Sequence, residues 1–235
     1  MKLALIGQGA MGQLVANLAR TAGDEIGMTF SSRDAGLDAS ELAAALRGHD
    51  VAIDFSVGAA VSRNVEGCAR AGVPLVEGAT GWKDQEAEVR GIVAAHDAAL
   101  VFGANFSIGV NVFYRVVEYT AGLMSGLDQY QAFIEEEHHN RKRDAPSGTA
   151  LKLKDLMGKH GKAEIPIASI RAGHIPGTHR VGFDSAADQI MLEHMARSRE
   201  GFAAGSLLAA RWIVGRQGVY EFSQVIDQVL MERRA

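Results

Sequence analysis

Lys2-Leu3-Ala4-Leu5-Ile6-Gly7-Gln8-Gly9-Ala10-Met11-Gly12 carries an apolar strand straight into a glycine loop and then into a helix. Glycines at positions 7, 9 and 12 in that setting are the fingerprint of a dinucleotide-binding turn. Each meets a separate physical need. Gly7 permits the tight turn, Gly9 lets backbone approach a pyrophosphate, and Gly12 lets helix and strand pack closely, while the helix N-terminus favours the anion. A glycine-rich turn without a ligand is the competing reading of the bare motif. The strand before it and the helix after it favour the nucleotide.

Working outward, residues 25–30, 50–55, 74–77 and 99–102 read as further short strands, with helices over 11–22, 40–46, 59–71 and 84–95. Strands this short and apolar are covered on both faces, as in a parallel sheet with crossover helices. The pattern changes near residue 105. Helices over 111–123, 151–160, 202–214 and 223–233 accompany strands at 130–137, 168–171, 180–185 and 189–194, which points to a mixed or antiparallel sheet. The expected fold is α/β, with an N-terminal Rossmann dinucleotide-binding domain over 1–107, rejoined by the closing helix in 215–235. A strand-rich α+β substrate and oligomerisation domain is expected over 108–214.

Composition sets the outer bounds. The 235 residues are 47% hydrophobic and 22% charged, ordinary for a soluble enzyme. A net charge of −4 creates no field that would recruit nucleic acid or an anionic membrane. The 27 glycines against 4 prolines point to tight turns and close backbone–ligand approach rather than disorder. Cys68 stands alone and cannot form an intrachain disulfide; its helical spacing marks a core thiol. No leader-like segment opens the chain, and no apolar run approaches the ~20 residues that span a bilayer. The cytoplasm is the expected address.

About twenty residues beyond the glycine loop, an NAD-preferring site usually shows a carboxylate for the ribose 2′-hydroxyl. This chain has Phe30-Ser31-Ser32-Arg33 there. Hydroxyls and a guanidinium suit a 2′-phosphate, which a carboxylate would repel. Asp34 is the counterweight, so NADPH is the favoured cofactor with NADH beside it.

The richest stretch is Glu135-Glu136-Glu137-His138-His139-Asn140-Arg141-Lys142-Arg143-Asp144-Ala145-Pro146-Ser147-Gly148-Thr149-Ala150. Acidic residues end a strand, then two histidines and three cations precede a Pro-Ser-Gly-Thr helix start. Ser147 reads as an N-cap, leaving free amides aimed outward. Cationic side chains and a helix N-terminus together suit a small dicarboxylate. Such a charge run on its own is usually a solvated face. Metal is not expected: adjacent histidines point differently, and the neighbouring cations oppose one.

Here the sequence resembles the 4-hydroxy-tetrahydrodipicolinate reductase (dihydrodipicolinate reductase) family, whose active-site segment reads E-x-H-H-x-x-K-x-D-A-P-S-G-T-A. Ile53-Asp54-Phe55-Ser56, Gly78-Ala79-Thr80-Gly81, Ala104-Asn105-Phe106-Ser107-Ile108-Gly109-Val110-Asn111, Arg171-Ala172-Gly173-His174-Ile175-Pro176-Gly177 and the tail Gly218-Val219-Tyr220-Glu221-Phe222 match in order. The resemblance spans nearly the whole chain. It implies NAD(P)H-dependent hydride addition at C4 of an unsaturated ring dicarboxylate and protonation at C3, in diaminopimelate and lysine biosynthesis, by a homotetramer. His138 matches the family's general acid/base, Lys142 its proton donor, and His139, Ser147, Gly148 and Thr149 substrate-binding positions. Gly7, Gln8, Gly9, Ala10, Met11, Gly12, Ser32, Arg33, Phe55, Gly78, Ala79, Thr80, Gly103, Ala104, Asn105 and Phe106 fall at cofactor-binding positions. The chain departs from the family in a glycine loop one residue shorter and without its arginine. Ser32 also stands where an acidic residue is common, and Ala79 where the family usually has threonine. A reductase for another amino or imino dicarboxylate, or a nucleotide sensor without turnover, stays open at this point.

Overall fold

The computed structural model describes residues 1–161 and 164–232. Two compact units result: Met1–Ile108 with Glu200–Ala235, and Gly109–Arg199.

The first unit is a six-stranded sheet of β1 (Lys2–Ile6), β2 (Glu25–Phe30), β3 (Val51–Asp54), β4 (Leu75–Glu77), β5 (Ala99–Phe102) and β10 (Gly218–Glu221). Their order is β10-β5-β4-β3-β1-β2 and every neighbouring pair is parallel. Helices cover both faces, which is why the strands lack alternation: Leu3, Ala4, Val51, Ala52, Val76, Leu100 and Val101 are all fully buried. Helices α1 (Ala10–Thr21), α7 (Glu200–Ile213) and α8 (Phe222–Glu232) pack one face, and α2 (Ala39–Leu46), α3 (Val61–Ala71) and α4 (Glu86–Ala95) the other. Removing each such Val, Leu or Ile side chain from water contributes about 1.5–3 kcal/mol. The strand order reverses between β1 and β3, so the crevice at their C-terminal ends is where a doubly wound sheet takes its ligand.

The second unit contains α5 (Ile108–Leu123), β6 (Gln131–His138), α6 (Gly148–Gly158), β7 (Ile167–Arg171), β8 (Thr178–Asp184) and β9 (Gln189–Met195). Its sheet runs β7-β6-β8-β9; β6 pairs parallel with β7 and antiparallel with β8, and β8 pairs antiparallel with β9. One face packs on α5 and α6 through Phe113, Val117, Ile134, Leu153, Met157, Val181 and Phe183. Ile170, Met191 and Met195 remain exposed.

Two expectations need correction. Helix α7, assigned from sequence to the second domain, belongs to the first unit, so the boundary falls at residue 200 rather than near 215. Ala203, Leu207, Ala210 and Ile213 bury against the same core as α1; a helix so widely apolar does not announce which sheet it covers. The sixth strand, β10, was not foreseen either. Only four residues long and paired only with β5, it is set off by Gly218 at φ 108°. The last residue of the closing helix expected at 223–233 lies outside the described residues.

Candidate active site

In the first unit the three glycines of the opening loop divide their labour. Gly7 holds φ 100°, and a Cβ there would lie 2.7 Å from the Phe55 carbonyl oxygen. A Cβ on Gly12 would lie 1.9 Å from the Gly7 carbonyl oxygen, so only glycine lets α1 start this close to β1. Around Gly9 the space is open. Gly9 is also the N-cap of α1 and offers no side chain, which leaves the first amides of the helix for an anion.

The neighbouring loops interlock. The Phe55 ring lies where a Cβ on Gly78 would be, 2.2 Å away, and a Cβ on Gly58 would meet the Thr80 carbonyl oxygen at 2.5 Å. Gly103 closes on the Phe222 side chain, and Asn105 Oδ1 accepts from the Ser107 amide at 2.9 Å. Phe106 packs into the same interior. Its ring is 2% exposed and sits between Phe55 (6.1 Å) and Phe222 (4.7 Å), so its side chain is core. Beyond β2, Ser31 caps a 3₁₀ turn over Ser32–Asp34 in a reciprocal capping box. Asp34 Oδ2 accepts from the Ser31 amide at 2.7 Å, which with the Ser31 hydroxyl lowers its pKa. The Arg33 guanidinium has no hydrogen-bonded partner among the described residues.

In the second unit, strand alternation sorts the acidic run. Ala132, Ile134, Glu136 and His138 point inward, while Glu135 and Glu137 lie on the other face with Arg180, which also pairs with Glu193. Of the three glutamates only Glu136 reaches His138: it is fully buried, and its Oε2 lies against His138 Nδ1. Its Oε1 accepts from the Arg171 guanidinium at 2.6 Å and from the Ser147 amide at 3.3 Å. Burial pushes the Glu136 carboxyl up, but Arg171, Ser169 and His138 outweigh it and hold it below its ordinary value. An ionised carboxylate only accepts, so His138 carries its neutral-form proton on Nδ1, leaving Nε2 for other work. Gly177, at φ 146°, faces that nitrogen; a Cβ there would stand 3.1 Å from it.

Burial lowers the His138 pKa, and Glu136 opposes the shift. His179, cross-strand from Glu136, stacks edge-on against His138 at 5.1 Å. Burial and then His138 lower its pKa to about 4, so it is neutral at physiological pH. Its Nε2 lies 3.0 Å from the Ser147 hydroxyl, which also accepts from the Ala150 amide at 3.2 Å. Ser147 is thus 2% exposed and committed as cap and histidine holder. Helix α6 then starts at Gly148. Lys142 Nζ pairs with Asp144 at 2.9 Å, and the Lys142 amide donates to the His139 carbonyl at 3.1 Å. Arg171 also donates to the Asp144 carbonyl at 2.6 Å, tying the basic loop to β7.

The expected residues His138, His139, Lys142, Gly148 and Thr149 therefore gather at the end of β6 and the start of α6. From sequence, Glu135–Glu137 as a group could raise the histidine pKa, with nothing to choose among them, and Arg171, His179 and Gly177 carried no assigned role. Period-two alternation along β6 could have singled out Glu136, since it shares a face with His138; the other three required the strand pairing. Glu136, His138 and His179 also place one ligating atom each within 4.8 Å of one another. A cation there would share Glu136 with the Arg171 guanidinium, whose charge opposes it.

Two family models match the chain: dihydrodipicolinate reductase, N-terminus, over residues 1–106, and dihydrodipicolinate reductase, C-terminus, over 109–226. The 4-hydroxy-tetrahydrodipicolinate reductase of Christiangramia forsetii is 36% identical over 97% of this chain and 99% of its own length. That of Haloarcula marismortui is 37% identical over 93% and 96%. Among solved structures, dipicolinate-bound dihydrodipicolinate reductase from Paenisporosarcina sp. TG-14 shares the fold, with a TM-score of 0.76 at 19% identity over 94% of this chain and 97% of that one. The chain belongs to the dihydrodipicolinate reductase family, enzymes that use a reduced pyridine nucleotide to convert 4-hydroxy-tetrahydrodipicolinate to tetrahydrodipicolinate on the way to diaminopimelate and lysine.

Proposed function

We propose that His138 is the general acid of this reduction and Lys142 its carboxylate anchor and second proton source. The observation that carries the reading is the Arg171–Glu136–His138 line, which fixes one imidazole nitrogen and leaves the other beside Gly177. A bound nicotinamide supplies the hydride, and the open space at Gly9 with the uncapped start of α1 fits its pyrophosphate. Gly148 and Thr149 at the start of α6 and the Lys142 ammonium would hold the substrate carboxylates. A dianion bound there raises the His138 pKa from its burial-lowered value, so the acid is charged when the substrate arrives. Carbon protonation then draws on Nε2 while Glu136 steadies the imidazolium through Nδ1.

The test is His138→Gln. Turnover should fall roughly 10²–10⁴-fold, the ordinary reach of a general acid, with NADPH affinity nearly intact. Wild-type turnover would remove His138 from the chemistry. We further assign Ser32 and Arg33 to the adenosine 2′-phosphate, with NADH accepted beside NADPH. The cytoplasm is the proposed location; among the described residues no helix is long and apolar enough to cross a membrane. A homotetramer is proposed through the sheet of the second unit, where Ile170, Met191 and Met195 are exposed.

A further inference from the structure

Two carboxyl groups take no part in this chemistry and yet are completely buried: Asp54 at the end of β3 and Glu77 at the end of β4, both 0% exposed. They are register partners on adjacent parallel strands. Asp54 is well supplied with donors. Its Oδ1 accepts from the Ser56 amide at 2.6 Å and its Oδ2 from Asn64 Nδ2 at 2.6 Å. Glu77 Oε1 accepts from the Ala79 amide at 2.6 Å, but its Oε2 finds no donor among the described residues. No cation there pairs with either group; Arg63 spends its guanidinium on Asn64 Oδ1 and on the carbonyls of Ala35 and Leu37. The other ionisable neighbour is the buried Cys68 thiol of α3, which burial and the two acids push up. Two adjacent buried carboxylates without a cation do not both stay ionised. Burial raises both carboxyls, and Asp54 adds to the rise of Glu77. With donors on both Asp54 oxygens and none among the described residues on Glu77 Oε2, the proton belongs on Glu77.

The pair sits beneath two loops. Asp54 holds the Ser56 amide and Glu77 the Ala79 amide, so each acid anchors the loop that follows its own strand. The loops are joined by the Phe55 ring over Gly78, by Gly58 against Thr80, and by Gln85 Nε2 donating to the Gly58 carbonyl at 3.0 Å.

We propose that Asp54 and Glu77 are positioning residues for the nucleotide: one proton shared between them latches the 55–58 loop to the 78–81 loop in the shape that binds NADPH. Loss of that proton leaves two buried like charges, which drives the loops apart and weakens binding. The inference rests on the reading that these loops touch the nucleotide.

Infrared difference spectra of full-length wild type against Glu77→Gln test the proton, and NADPH titrations from pH 7 to 9.5 test the latch. Wild type should show a protonated-carboxyl band at pH 7.5 that Glu77→Gln lacks. Its NADPH Kd should stay level while the band persists and rise up to about ten-fold per pH unit as the band disappears. Glu77→Gln, uncharged at every pH, should stay within about two-fold of the wild-type Kd at pH 7 and remain level, whereas Glu77→Ala should bind about ten-fold more weakly. A missing band, a band lost without a change in Kd, or equal binding by the Ala and Gln variants overturns the latch. Thr80→Glu separates the underlying reading: a carboxylate on that exposed residue should repel NADPH. An unchanged Kd there would mean that the loops do not reach the nucleotide. Weakened binding beside a Kd that ignores the band would defeat the latch alone.

Discussion

Glu136→Gln isolates the claim that a buried carboxylate governs the acid. The substitution keeps the size of the side chain and removes its charge. His138 Nδ1 can still donate to the amide oxygen, but the amide nitrogen then meets the Arg171 guanidinium, donor against donor. Glu136 is fully buried and His138 is 8% exposed, so solvent screens the pair little. A hydrogen bond between charged groups is worth about 1.5–3 kcal/mol. At about 1.4 kcal/mol per pKa unit, the His138 pKa should fall by about one to two units. The sign follows directly: removing an anion disfavours the imidazolium, so the acid form is lost at lower pH. In a pH profile of kcat/KM, the limb along which activity falls with rising pH should move one to two units toward acid. At a fixed pH above both pKa values the rate should drop about 10- to 100-fold, and it should recover as the pH is lowered. A limb in the wild-type position, or a loss that acid does not recover, would refute the reasoning.

Lys142→Ala should lower kcat and raise KM together, each by about ten-fold, because one ammonium is both anchor and proton source; a rise in KM alone would leave Lys142 a pure anchor. Arg33→Ala should weaken NADPH by about 10- to 150-fold and leave NADH almost unchanged, with the gap narrowing as salt rises. Equal loss of both nucleotides, or of neither, would make Arg33 a bystander. Glu77, with its folded-state pKa raised, binds more protons folded than unfolded, so it subtracts stability as pH climbs from about 4.5 toward its folded value, by about 1.4 kcal/mol per unit. Glu77→Gln should therefore melt higher relative to wild type at pH 8 than at pH 5; an equal difference at both, measured by calorimetry, would count against a protonated Glu77.

The legible parts were those with local signatures. The glycine loop carries three constraints within six residues, and each of Gly7, Gly9 and Gly12 has a separate neighbourhood in the fold. Strands β1, β3, β4 and β5 were readable because burial on both faces leaves them largely apolar, whereas β2, at the sheet edge, is mostly exposed. The basic histidine loop was readable because His138, Lys142, Ser147 and Thr149 lie within twelve consecutive residues. Other features had no such trace. Cross-strand pairing brings His179 beside His138 from 41 positions away, and β10 depends on pairing with β5 rather than on its own four residues.

By itself, then, the sequence determined the glycine-loop nucleotide unit, a strand-rich second unit and the family, and it named the residues proposed to carry the chemistry. These follow from short-range periodicity and from motif chemistry, which survive in one dimension. Tertiary structure alone decided that α7 covers the first sheet and that Phe106 is core. It also decided which of three consecutive glutamates governs His138, and that Asp54 and Glu77 meet beneath two loops. Burial and the pairing of distant strands set those outcomes, because a carboxyl's protonation and a helix's partner depend on what surrounds them rather than on what precedes them in the chain.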